Sequence, residues 1–179
     1  MASNWDRELY IKACRFAAQA HRGQLIPSSD LPYLLHLNLV SMEILAALSA
    51  ETGHDGDLAV ACALLHDTIE DTDTTYAQIE SMFGSKVADG VAALSKNPDL
   101  EKSQQLADSL DRIISQPPEI WMVKLADRIT NLQPPPIHWD SSKIHRYRDE
   151  AIKIHTRLQS ASPFLAKRLA EKIQNYQVS

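Results

Sequence analysis

Residues 63–75, ALLHDTIEDTDTT, run from an apolar helix pattern into four ionisable side chains: His66, Asp67, Glu70 and Asp71. Two further residues belong with them. His36 closes PYLLH upstream, and Asp127 sits in VKLADRITNL downstream. Each lies among apolar neighbours, where a charge is costly unless it is paired or bound to a metal. Two imidazoles and two carboxylates make a mixed nitrogen and oxygen set. That set suits a divalent transition ion such as Mn²⁺, Fe²⁺ or Zn²⁺ better than Ca²⁺. A lone His36 is more often a satisfied core histidine, and Asp127 by itself has Lys124 or Arg128 to pair with. The combination carries the reading, not any one member.

Helices must position these residues. The chain has five glycines and no alternating strand pattern, so the periodicity predicts an all-α fold of roughly eight to ten helices. A first helix covers residues 4–23, ended by Gly23. IPSSDLP, 26–32, is a loop. A second helix runs from about Tyr33 to Ala50, with His36 in its first turns. Asp57 is the expected N-cap of a third, LAVACALLHDT, which is apolar all round and so central. His66 and Asp67 end it inside the protein. DTDTT turns into a short helix, YAQIESMFG, and Lys86 to Ser95 form another. A polar amphipathic helix starts at Pro98-Asp99 and reaches about Gln116. Pro117-Pro118 opens the helix that carries Asp127, and QPPPIHW stops it. Helices over Ser141–Gln159 and Pro163–Tyr176 close the chain. Asp127 and Asn131, four residues apart, share one helix face.

The composition narrows the classes. At 179 residues the chain is expected to form one domain over 1–179 with a real core. The formal net charge of −5 argues against general nucleic-acid binding, which needs a basic footprint. Cys14 and Cys62 sit in apolar patterns and read as buried, reduced thiols. No apolar run reaches a membrane span, and MASNWDRELY lacks a signal-peptide plan, so a cytoplasmic protein is expected. A homo-oligomer stays open.

The chain resembles the HD superfamily of metal-dependent phosphohydrolases, and within it the small alarmone hydrolases and the hydrolase half of Rel/SpoT enzymes. The motifs that carry this are AAQAHRGQ (17–24), PYLLH (32–36), ALLHDTIEDTDTT, FGSKVADGV (83–91) and VKLADRITNL (123–132). The resemblance implies an HD-domain helical bundle. It implies that His36, His66, Asp67 and Asp127 hold one ion, usually Mn²⁺, with Glu70 and Asp71 as the catalytic acidic pair. Asn131 matches a polar residue beside the site, and Tyr147 a tyrosine that contacts substrate. Such chemistry is physically sensible, because a bound ion acidifies its water and polarises a phosphoryl oxygen, while carboxylates manage the protons. Spacing leaves open which of the pair is base and which acid. Lys124, Arg128, Lys143, Arg146 and Arg148 are the candidate cations for a polyphosphate, with Arg146 first because it is next to Tyr147, and Lys143 lies one turn from Tyr147. Arg22 and Ser28 are the candidate contacts from HRGQLIPSSDLPY. The expected activity is removal of the 3′-diphosphate from a (p)ppGpp-type alarmone. The alternatives are another nucleotide, such as a (pp)pApp species or NADPH, or a nucleotide-sensing module without catalysis.

Two segments depart from the family pattern. Leu25, Ile26 and Pro27 stand where basic residues that pack on guanine are expected, which touches base preference more than reaction type. QPPPIHW after Asn131 is either a rim of the pocket or a rigid bend over Trp139, and proline's restriction favours the bend.

Overall fold

The computed structural model describes residues 5–176. Among them are ten α-helices and no strand. They are α1 (Arg7–Ala20), α2 (Leu34–Ala50), α3 (Gly56–Leu65), α4 (Thr68–Asp71), α5 (Tyr76–Phe83), α6 (Ser85–Leu94), α7 (Lys102–Ile114), α8 (Pro118–Asn131), α9 (Ser141–Leu158) and α10 (Pro163–Asn175). A 3₁₀ turn over Gln159–Ala161 joins the last two. No helix is long and apolar enough to cross a membrane.

The centre is α3. Every residue from Leu58 to Leu65 is buried, as its all-round apolar sequence requires. Around it pack α1, α2, α6 and α8. The helix starts follow local chemistry. Asp6, Asp140 and Ser162 cap α1, α9 and α10 with side-chain oxygens, and Thr75 and Gln78 form a capping box on α5. Pro118 and Pro163 occupy first turns, where a missing N–H costs nothing. Arg112 of α7 donates to the carbonyls of Ala92, Ala93 and Ser95, which satisfies the open C-terminal end of α6.

Several boundaries differ from expectation. The cap of α3 is Asp55, whose carboxylate accepts from Leu58 N–H, so the helix begins at Gly56 and Asp57 lies in its first turn. The side chain of Asp57 instead accepts from Asp6 N–H. The first helix ends at Ala20, before Gly23, because His21 leaves helical geometry; residue 4, where it was expected to start, lies outside the described residues. The seventh helix begins at Lys102, not at Pro98-Asp99, since Asn97 and Asp99 build a turn of their own. HDTIED is not one helix end but a break between two helices. His66 caps α3 at its C-terminus, Asp67 precedes α4, and α4 is a single turn. Cys62 is buried, but Cys14 is only partly so.

Candidate active site

The break after α3 turns His66 and Asp67 toward one point. His66 Nδ1 lies 2.9 Å from the Ala63 carbonyl, which fixes that nitrogen as the donor and leaves Nε2 free to face the site. Nε2 of His66 is 3.0 Å from Asp67 Oδ2 and 3.4 Å from Nε2 of His36, which comes from the first turn of α2. Asp127 of α8 brings Oδ1 to 3.5 Å from His36 Nε2 and 3.8 Å from His66 Nε2. His36, His66 and Asp127 are buried, and donor atoms of His36, His66 and Asp67 all lie within 4.8 Å of one another. Four helices thus deliver four donors to one place. Imidazole nitrogens and carboxylate oxygens at this separation are the donor chemistry of a divalent cation site, so these residues fit one.

The surrounding contacts are ordered. Tyr33 donates its hydroxyl to Asp67 Oδ2 at 2.6 Å. Lys124 reaches Asp127 Oδ2 at 3.0 Å, and Asn131 donates to Asp127 Oδ1. Burial alone raises the Asp67 carboxyl, but the charge of His66 and hydrogen bonds from His36, His66 and Tyr33 hold it well below the usual range. Burial opposes a charged His66, yet the two aspartates push it up to about 9 in the absence of an ion.

Glu70 and Asp71 follow on α4. Lys96 holds Glu70 from two directions, with its ammonium at 2.5 Å and its backbone N–H at 2.8 Å. Asp71 accepts from Gln24 Nε2 at 3.3 Å. Burial and the charges of Asp67 and Glu70 push the Asp71 carboxyl up, against that hydrogen bond.

His36 and Asn131 also line a cleft of about 570 Å³. One wall is the loop carrying Ile26, Pro27, Ser28 and Ser29; the other carries Pro134, Pro136 and Trp139; Tyr147 and Tyr176 lie behind. QPPPIHW is therefore a wall of the pocket as well as a bend, contrary to the simpler expectation. The substrate-side candidates divide. Asn131, Ser28 and Tyr147 line the cleft. Ser28 is held there at φ 64°, in the left-handed region. Lys143 is exposed and lies over the Trp139 ring at 4.1 Å, and it is not among the residues that line the cleft. Arg146 is exposed and donates to Ser142, one turn back on α9, and Arg22 is exposed; neither lines the cleft. The helical period explains Arg146, because a residue next to Tyr147 points about 100° away from it.

Sequence reasoning missed Tyr33, Gln24 and Lys96. Gln24 and Tyr33 stand inside the motifs AAQAHRGQ and PYLLH, at the ends of a loop whose closure has no periodic signal. Among the described residues Asp127 pairs with Lys124 and not with the other candidate partner, Arg128. Arg128 is buried, stacks on Tyr147 at 4.4 Å, and meets Glu150 at 3.4 Å.

The comparisons agree with the all-α fold. A family model described as HD domain matches residues 13–163. The guanosine-3′,5′-bis(diphosphate) 3′-pyrophosphohydrolase of Aquifex aeolicus is 34% identical over 125 residues, covering 68% of this chain but 17% of its own length. The Danio rerio guanosine-3′,5′-bis(diphosphate) 3′-pyrophosphohydrolase MESH1 is 28% identical over 170 residues and covered to 90% in both chains. A solved structure of a metazoan ortholog of SpoT that hydrolyzes ppGpp superposes with a TM-score of 0.81 at 26% identity, over 95% of this chain and 96% of that one. With a match over most of its length, and with the helix break that brings His66 and Asp67 together, this chain belongs to the HD domain family.

Proposed function

We propose that this chain is a metal-dependent hydrolase that removes the 3′-diphosphate of a (p)ppGpp-type nucleotide alarmone as pyrophosphate. The observation that supports it most is the convergence of His36, His66, Asp67 and Asp127 at the edge of a nucleotide-sized cleft, with Glu70 and Asp71 one turn away. The named activity of the relatives points the same way. In this reading the four residues hold one ion, with Mn²⁺ as the expected metal. Such an ion supplies an acidified water and a polarised phosphoryl oxygen when bound.

The protein's own groups do the rest. Water's oxygen joins the phosphorus on the 3′ oxygen, the bond between them breaks, and the 3′ oxygen takes a proton. Glu70, paired with Lys96, orients the water and accepts from it. Asp71 is the better proton carrier for the leaving oxygen, because burial and its acidic neighbours raise its affinity for a proton. Asn131, beside Asp127 and on the cleft, is placed to donate to a phosphate oxygen. Ser28 and Tyr147 serve the nucleoside end. Catalysis on a free nucleotide also fits a cytoplasmic protein.

One observation favours a second substrate class within the same reaction. Ile26 and Pro27 face the cleft where basic residues were expected, and no Lys or Arg is among its lining residues. Adenosine 3′-diphosphates and NADPH therefore belong in the test. Metal-free and Mn²⁺-loaded protein are incubated with ppGpp, pppApp and NADPH, and products are separated by ion exchange. Pyrophosphate from an alarmone, only with metal, is the expected result. Absence of turnover of all three by metal-loaded protein would sink the reading.

A further inference from the structure

His21 stands outside the cation cluster, yet it backs two of the acids at the site. It is buried at 4% exposure, at the end of α1. Its Nδ1 lies 2.7 Å from Gln24 Oε1, an atom that only accepts, so Nδ1 carries the proton. That bond fixes the Gln24 amide with its NH₂ outward, where it donates to Asp71 Oδ2 at 3.3 Å. On its flat face His21 stacks against Tyr33, with ring centres 4.9 Å apart and planes 24° apart. Tyr33 in turn donates to Asp67 at 2.6 Å.

The loop geometry makes this one device. Tyr33 N–H bonds to the Gln24 carbonyl at 2.9 Å, Ile26 N–H to the Leu31 carbonyl at 2.9 Å, and Leu25 pairs with Pro32. The closed loop sets Gln24 and Tyr33 side by side. Asp67 and Asp71, their acceptors, are one helical turn apart. Two donors therefore meet two acids, and a single imidazole fixes both donors. Nε2 of His21 has no partner among the described residues. That is tolerable for a bare acceptor and costly for a buried N–H, which again favours the Nδ1–H form.

We infer that His21 is a positioning residue, whose Nδ1–H tautomer orients Gln24 toward Asp71 and whose ring braces Tyr33 against Asp67. This rests on the proposed role of Asp71 and Asp67 in phosphoester hydrolysis. Groups of this kind are worth about 10–100-fold in activity or metal affinity.

Asparagine and glutamine separate the roles. Asn carries its amide nitrogen about where Nδ1 stands, whereas Gln carries it about where Nε2 stands. His21→Ala and His21→Gln are expected to lower kcat by about 10–100-fold with KM little changed, and His21→Asn to recover most of that loss. Gln24→Glu keeps the acceptor for His21 but turns the donor facing Asp71 into a carboxylate; it is expected to lose as much as Gln24→Ala. Equal activity of the Asn and Gln variants, or losses confined to KM, would overturn the inference. A second measurement does not depend on turnover. Two-dimensional ¹⁵N–¹H NMR of the wild-type neutral imidazole is expected to find the His21 proton on Nδ1. An Nε2–H tautomer would refute the arrangement even in an active enzyme. A wild type without hydrolase activity but with the Nδ1–H form would instead count against the proposed reaction.

Discussion

The floor of the site and the cleft beside it are built on opposite plans. On the floor, four donors come from α2, α8 and the break between α3 and α4, and each acid is held by a named partner: Asp67 by Tyr33, Asp127 by Lys124 and Asn131, Glu70 by Lys96, Asp71 by Gln24. The cleft is built largely from two irregular segments, 24–33 and 132–140, and no Asp, Glu, Lys or Arg is among its lining residues. Charge is thus concentrated where a bond would break. In the proposed reading, recognition of the rest of a ligand falls to uncharged surface, aromatic at Trp139, Tyr147 and Tyr176 and polar at Ser28, Ser29 and Gln133. Such a division predicts that changes on the floor alter kcat or metal binding, while changes in the cleft alter KM.

The largest break of that division is Asp127→Ala. It removes one donor and the partner of both Lys124 and Asn131. Turnover is expected to fall to background, and Mn²⁺ titration by calorimetry to show lost or much weakened binding. Retained tight binding with full activity would show that His36, His66 and Asp67 suffice. Next come Glu70→Gln and Asp71→Asn, each expected to cost about 10²–10⁴-fold in kcat while metal binding survives. Should either lose the metal instead, it belongs to the donor set and not to proton transfer.

Lys96→Met sharpens the same side. Lys96 is half-exposed, so folding should be little affected, but Glu70 loses its ammonium partner. A loss of about 10–100-fold in kcat is expected from misorientation of Glu70. In the cleft, Trp139→Ala should do the reverse. Stacking on an aromatic ring contributes about 1–3 kcal/mol per base, so KM should rise by roughly 5- to 150-fold with kcat nearly kept. A fall in kcat alone would mean that the two regions are coupled, through Tyr147, whose ring Trp139 meets edge-on and Arg128 covers.

The same division explains what could be read in the sequence. Floor residues sit on periodic helices beside motifs, so their grouping was legible from HDTIED, PYLLH and KLADRITNL. The all-α class was legible too, because α3 is apolar on every side. The helix break inside HDTIED was not, since a one-turn helix has too few residues for a period. Adjacency to Tyr147 points to Arg146 in the sequence, but neighbours along a helix face apart instead of together. The contacts of Gln24, Tyr33 and Lys96 depend on how loops close between helices, and pairings 47, 34 and 26 residues apart leave no local trace.

A final prediction touches neither region and tests whether they rest on a common frame. Gly90 faces α3 and α8 from within α6, and a Cβ placed on it would collide with the side chain of Ile120 and come within 2.9 Å of Cys62 Sγ. Both neighbours are fully buried, so neither has solvent to move into. Gly90→Ala also gains helix propensity, by about 1 kcal/mol, which offsets part of the strain. Overpacking of this kind costs about 1–3 kcal/mol, and the net effect should be a melting temperature unchanged or lowered by up to about 8 °C. Burial also pushes the Cys62 thiol far up, with the charges of Asp55 and Glu119 adding to it, so in the wild type a thiol reagent should label Cys14 before Cys62. In Gly90→Ala, faster labelling of Cys62 together with unchanged kcat and KM at low temperature would mean that the core yields around α6 without moving the site. A drop in kcat would instead show that α3 transmits the displacement to His66, two turns or less from where Cys62 packs.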